Sequence, residues 1–280
     1  MNQNILVFKI TRSESTQLDF DLPDFDAITT ALPLGLYTTF RTYAERTKVI
    51  GLRSHLERLY LPAKAQELPL AIRKPEELRE VLADHLLRLD SPEARVRLIL
   101  DTTSEPGTIY LLIQPLQSLP AEVYAHGVQV EISKTSREKP SLKQTAFIAG
   151  SAFDRKRVGG DVFEILLTNK GRILEGMTSN FFYVRDGVLC TAGRGILIGV
   201  TRQTVLTLAK QNGIGICYKA LPLNDLDTIQ EAFITSSSRG IVPVIRVDAH
   251  QIADGKVGEI TSQLMRLYED EVLSLAEDIV

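Results

Sequence analysis

Three short stretches of this 280-residue chain concentrate residue types that do chemistry. In "ILEGMTSNFFYV", Ile173 to Val184, an acid, a glycine and a Thr-Ser-Asn triplet stand directly before an aromatic, apolar run. A half-buried strand alternates apolar and polar residues. This one begins with Glu175 and the triplet and turns into Phe181, Phe182, Tyr183 and Val184, which marks a polar site at the strand's entrance. In "GILIGVTRQTV", Gly199, Val200 and Thr201 stand where a loop enters a helix. The unpaired N–H groups and positive dipole end of a helix start attract anions, although glycine and threonine there equally serve ordinary capping. In "FITSSSRGIVPV", Phe233 to Val244, four hydroxyl residues, Thr235 to Ser238, precede Arg239 and Gly240. Hydroxyls, N–H groups and an arginine can together hold a phosphate; a polar turn whose serines bond their own backbone is the plainer reading. Arg58, in "HLERL", reads by itself as a surface helix residue.

These residues need elements to position them. "GLYTTFRTY" (Gly35 to Tyr43) alternates like a strand, and "SHLERLYLPAKAQ" opens like a helix with Ser54 as N-cap and Pro62 as its end or kink. A second helix starts with Pro75 at its first position and Glu76 and Glu77 in its first turn, with Leu78, Val81, Leu82, His85 and Leu89 on one face. "RVRLIL" and "TIYLLIQ" read as two strands. A break at "PLQSLPAE", Pro115 to Glu122, separates a domain of residues 1–118 from one of 119–280. Beyond it, "VQVEIS", "VFEILLT" and "FFYVRDGVLCTA" are strands, with "NKG" and "DG" supplying the φ > 0 residues of tight hairpins. "TRQTVLTLAKQNG" reads as a helix ending near Gly213, and Ile260, Leu264, Leu267 and Leu275 mark a terminal helix. Strand runs punctuated by helices, without regular βαβ alternation, give an α+β fold.

Composition excludes several classes. The chain is 44% hydrophobic and 24% charged, enough for a sizeable core, and its net charge of -3 offers no basic field for nucleic acid or anionic lipid. No segment approaches the ~20 apolar residues of a membrane helix and no leader is visible, so the expected location is cytoplasmic. Cys190 and Cys217 lack metal spacing and read as two thiols, one disulfide being the alternative. His85, His126 and His250 form no cluster, and there is no expected metal. Phosphate-binding P-loop, dinucleotide, zinc-protease and esterase motifs are missing.

Taken together, "HLERL", a lysine ahead of the strand-rich half, "LEGMTSNFF", "LIGVTR" and "TSSSRGIVPV" resemble the class IV aminotransferases. These are the fold-type IV pyridoxal phosphate enzymes, which include branched-chain and D-amino acid aminotransferases and aminodeoxychorismate lyases. The resemblance spans roughly residues 30 to 245. It implies two α/β domains with pyridoxal 5'-phosphate in the cleft between them, and a homodimer whose partner loop helps line the active site. It also implies an amino donor and a 2-oxo acid acceptor as small-molecule partners. Lys143, in "PSLKQTAFIAGS", takes the position of the family's Schiff-base lysine; the motif, not the residue type, singles it out from Lys139 and Lys156. An amine is needed there to condense with the cofactor aldehyde and to shuttle the substrate Cα proton. Glu175 matches the acid facing the pyridine nitrogen, whose carboxylate keeps that nitrogen protonated. Leu197, Ser236, Arg58, the backbone of Val200 and Thr201, and Ser237 fall on cofactor-binding positions, the last four on the phosphate.

Departures from the family pattern bear on the substrate. Ala146-Phe147 replaces an Asn-aromatic pair, Met177 stands where a small residue is usual, "LPLGLYTTF" lacks the family's aspartate, and "LDT" (Leu100 to Thr102) replaces an arginine-bearing turn. Arg41 or Arg239 is therefore expected to meet the substrate carboxylate, with Tyr37 lining an apolar pocket beside Phe40, unless these two are core. The expected activity is ping-pong amino-group transfer between an amino acid or amine and a 2-oxo acid. The alternative is aminodeoxychorismate lyase, which converts 4-amino-4-deoxychorismate to 4-aminobenzoate and pyruvate, because Thr38-Thr39-x-Arg41 resembles a pattern of those lyases. A third reading is a homologue that binds without turnover, against which the presence of Lys143, Glu175 and Arg58 argues.

Overall fold

The computed structural model describes residues 5–137 and 140–280; Lys139 lies outside them. The chain divides into two compact units. The first is Met1–Gln117 with Leu142–Gly150 and Val272–Val280, and the second is Ser118–Ser141 with Ser151–Glu271. A single cut near residue 118 would have given both added segments of the first unit to the second.

The first unit is built on an antiparallel sheet in the order Ser15–Leu18, Leu6–Ile10, Ile109–Pro115, Ala94–Asp101, Gly35–Arg41. One face buries Leu36, Phe40, Val96 and Leu98 with Leu56 and Leu59 of the helix Leu52–Ala65 and Leu78 and Leu82 of the helix Pro75–Leu86. The other buries Val7, Tyr37, Ile99 and Leu112 with Phe25 and Ile28 of the helix Phe25–Ala31. Covered on both faces, the central strands read as near-continuous apolar runs rather than alternating ones.

The helix carrying Arg58 departs from expectation at both ends. It starts at Leu52, after Gly51 in the left-handed region (φ 61), so Ser54 lies inside the first turn and is not the cap. Pro62 does not end it: the helix runs to Ala65, and Gln66 N–H bonds the Pro62 carbonyl at 3.2 Å. Burial of Leu59, Tyr60 and Ala63 holds the turn that the missing proline N–H weakens. The segment Leu142–Gly150 lies along the Gly35–Arg41 edge: Tyr37 N–H donates to the Lys143 carbonyl at 2.8 Å, and Thr145 N–H to the Gly35 carbonyl at 2.9 Å. At the C-terminus, Ala276–Asp278 pairs with Lys48–Ile50, and Arg79 meets Glu277 at 2.9 Å.

The second unit is one mixed sheet. From its Ile216–Cys217 end the order is Val188–Thr191, Asn180–Arg185, Glu231–Ser236, Gly240–Val247, Val128–Ser133, Val162–Asn169, Arg172–Gly176 and Leu221–Pro222. The Val128–Ser133 strand runs parallel to both its neighbours, and the bridge Asn180↔Glu175 closes the strands from Asn180–Arg185 round to Arg172–Gly176 into a ring. Its hairpins turn at Lys170-Gly171 (φ 48 and 70) and Asp186-Gly187 (φ 51 and 72), the paired positive φ values that two-residue hairpins require. Cys190 and Cys217 face each other across a parallel strand pair as free thiols, and burial pushes the Cys190 thiol up to about 11. Among the described residues no cluster of His, Cys, Asp and Glu could hold a metal, and no helix is long and apolar enough to cross a membrane.

Candidate active site

Within the second unit the ring closes at Glu175. The residue is 2% exposed, and donors address both of its oxygens. Arg137 Nε reaches Oε1 at 2.9 Å; Leu197 N–H reaches Oε2 at 3.0 Å and Asn180 Nδ2 at 3.4 Å. Arg137 also donates to the Met177 carbonyl at 2.7 Å. A charge so deeply buried persists only when paired and hydrogen-bonded, and this donor set is complementary to an anion. Asn180 holds this arrangement to the next element by donating to the Leu197 carbonyl at 2.7 Å.

That element is the loop into the helix Val200–Gln211. Its N-cap, Gly199, makes no side-chain cap bond, so the first-turn N–H groups at Val200 and Thr201, both buried, meet no capping side chain. Glycine is required here for space: a Cβ at position 199 would come within 2.1 Å of Asn180 Oδ1. Arg202, in the same first turn, donates to the Ala192 carbonyl at 3.0 Å. The serine-rich stretch ends the strand Glu231–Ser236, which pairs Thr235 with Asn180. Thr235 is 2% exposed, and its hydroxyl has no hydrogen-bond partner. Ser236 and Ser237 are half-buried. Arg239 donates to Ser236 Oγ at 3.1 Å and to Thr178 Oγ1 at 2.6 Å, and pairs with Glu164 at 3.2 Å.

Within the first unit, Lys143 follows directly on the bonds that fasten its segment to the strand edge. Its ammonium lies 4.9 Å from the Tyr37 ring centroid, and Arg97 lies 5.1 Å from the same ring. Tyr37 thus belongs to the core and to the surroundings of the lysine, whereas Phe40 is core alone. Arg97 is tied to Asp26 at 2.8 Å and Thr39 Oγ1 at 3.1 Å. Thr38, the other threonine of the Thr-Thr-x-Arg pattern, bonds His55 Nδ1 at 2.6 Å. His55 is fully buried, its Nε2 has no partner, and burial, with the charges of Arg58 and Lys143, holds its imidazole well below the usual range. Arg58 is half-buried one helical turn on, and Arg41 stacks over Tyr43 at 4.5 Å.

Sequence reasoning passed over Arg137, Asn180, Glu164 and His55. Asn180 and His55 stand inside motifs already singled out, and their spacing to Glu175 and Arg58 was the available signal. Arg137 is one of several charges in the stretch Lys134 to Lys139 and Glu164 a single acid in an apolar strand, and only the folded chain reveals their burial.

Residues 35–247 match the family described as Amino-transferase class IV. The chain is 30% identical over 279 residues to a Thermotoga maritima protein named "Probable branched-chain-amino-acid aminotransferase", with 97% of each covered. It is 28% identical over 277 residues to a D-alanine aminotransferase of Listeria monocytogenes, covering 88% of this chain and 89% of that one. A solved branched-chain amino acid aminotransferase from Escherichia coli is similar with a TM-score of 0.79 at 20% identity, over 98% of this chain and 99% of that one; at that identity the likeness is one of fold.

Proposed function

We propose, for a chain that belongs to the class IV aminotransferases, that amino-group transfer runs on pyridoxal 5'-phosphate with Lys143 as the catalytic amine. The chain is a transaminase, and the relatives named for branched-chain amino acids and D-alanine support a small amino acid as donor, with a 2-oxo acid as acceptor. The observation that carries the cofactor reading is the buried Glu175 carboxylate, held in place from both oxygens by Arg137, Leu197 and Asn180.

The residues fit that cofactor. Glu175 offers an anion to a protonated ring nitrogen, the uncapped helix start at Val200 and Thr201 suits a phosphate, and the orphaned Thr235 hydroxyl is a polar group waiting for a partner. When bound, pyridoxal phosphate supplies a carbonyl that condenses with amines and a ring that withdraws electrons from the substrate Cα. Lys143 takes the Cα proton and returns it, and the Tyr37 ring face beneath its ammonium orients it. Arg58, the N–H groups of Val200 and Thr201, and the hydroxyls of Ser236 and Ser237 hold the phosphate, and the Leu197 N–H keeps Glu175 aimed. Arg41 is assigned to the substrate carboxylate. The threonines that suggested a lyase are committed to His55 and Arg97, so no observation favours elimination.

The test is a spectrophotometric half-reaction with L- and D-amino acids. The cofactor's visible absorbance is expected to change with a donor and return with a 2-oxo acid. Lys143→Ala should lower turnover by about 10³-fold or more, while Lys156→Ala leaves it unchanged. Equal activity in all three proteins would refute the assignment.

A further inference from the structure

Glu164 is a carboxylate outside the set of residues assigned to the cofactor, and it is 2% exposed. It lies in the strand Val162–Asn169, whose next residues, Ile165, Leu166 and Leu167, are fully buried core. An ionised group taken this far from water needs counter-charge and donors, and Glu164 has both. Its Oε2 accepts from the Thr178 hydroxyl, from Thr178 N–H at 3.3 Å and from the Ser179 hydroxyl at 3.2 Å. The same oxygen faces Arg239 Nη2 at 3.2 Å. Arg239 passes the contact on through Thr178 Oγ1 at 2.6 Å and Ser236 Oγ at 3.1 Å, with its guanidinium over the Phe163 ring at 5.2 Å. One buried charge therefore ties down two turns, 177–179 directly after Glu175 and 236–239, which holds Ser236 and Ser237.

We propose that Glu164 is a positioning residue for the phosphate end of the cofactor site, acting through Arg239 on the serine turn. A hydroxyl fixed before the ligand arrives loses less freedom on binding, and partners one step removed from a ligand set its affinity in this way. Arg239 is given a different role accordingly: its Nε donates to Ser236 and its Nη2 to Glu164 and Thr178, and we assign it as the arm of this device in place of the substrate-carboxylate role expected from sequence. The inference rests on the assignment of Ser236 and Ser237 to the cofactor phosphate.

The full-length protein, stripped of cofactor, would be titrated with pyridoxal 5'-phosphate and with pyridoxal, which lacks the phosphate. The variants are Glu164→Gln, Arg239→Met, both together, and Arg239→Lys, with a thermal melt of each. In either single variant, affinity for the phosphorylated ligand is expected to fall about tenfold or more, while affinity for pyridoxal changes by less than about twofold. The double variant should be no weaker than the weaker single, because the pair acts as a unit, and Arg239→Lys should recover part of the loss. Unchanged affinity, equal losses for both ligands, or additive losses in the double variant would overturn the proposal. If Glu164→Gln does not fold, Arg239→Met and Arg239→Lys decide alone. Wild-type protein that binds both ligands equally would instead refute the phosphate assignment itself, and the inference with it.

Discussion

Glu175 and Arg137 form a pair whose two effects separate by substitution. Glu175→Gln removes the carboxylate charge that faces Arg137, whose side chain is 6% exposed, which should cost about 3–5 kcal/mol of stability in urea unfolding. The same change should lower kcat by about 10²-fold, because a neutral amide does not hold a proton on the ring nitrogen. Removing both charges, Glu175→Gln with Arg137→Met, should restore most of the stability and none of the turnover; recovery of turnover would show that Glu175 acts only structurally. His55 supplies a pH signature. Its folded-state value lies well below its ordinary 6.5, so the unfolded chain binds the extra proton. Stability is then complete above the unfolded value and falls with pH below it, by about 1.4 kcal/mol per unit. His55→Asn should flatten that slope between about pH 5 and 6.5 in thermal melts; an unchanged slope would mean that His55 is already charged in the fold. Of these groups only Glu175 was legible in sequence, as the odd acid ahead of an aromatic run. Arg137 meets it from 38 residues away, a separation that no local periodicity records.

Among the elements, those set by backbone chemistry were legible and those set by tertiary packing were not. Asn-Lys-Gly and Asp-Gly specify left-handed residues directly, and both hairpins fall there. The helix holding His55 and Arg58 begins at Gly51 and passes through Pro62 because its buried face, not its capping signals, sets its length. The start of the Val200–Gln211 helix depends in the same way on a neighbour, since Asn180 occupies the space beside Gly199. Gly199→Ala must displace the Asn180 amide and with it a donor to Glu175, at a cost of about 1–3 kcal/mol by the usual penalty for overpacking. Cofactor retention on dilution should fall in the same variant. A melt and a retention both equal to wild type would show that the loop moves aside freely.

For the molecule as a whole, the line of the chain and the line of the units differ. The first unit's long segment ends at Gln117, within the proline-bearing stretch Pro115 to Glu122. The return of Leu142–Gly150 was not legible in the sequence, because its attachment is made of backbone bonds to Gly35 and Tyr37 that any sequence can form. The C-terminal return has a measurable consequence. Deleting Val272–Val280 removes the strand against Lys48–Ile50, the Arg79–Glu277 pair and the buried Ile279, and should lower the melting temperature by several degrees. Unchanged melting would place the tail outside the cooperative fold. The point of cofactor attachment is the most direct test of the proposed chemistry. Protein loaded with pyridoxal 5'-phosphate, reduced with borohydride and mapped by mass spectrometry, should carry the pyridoxyl group on Lys143. Label on Lys156 or another lysine, or no label at all, would contradict it.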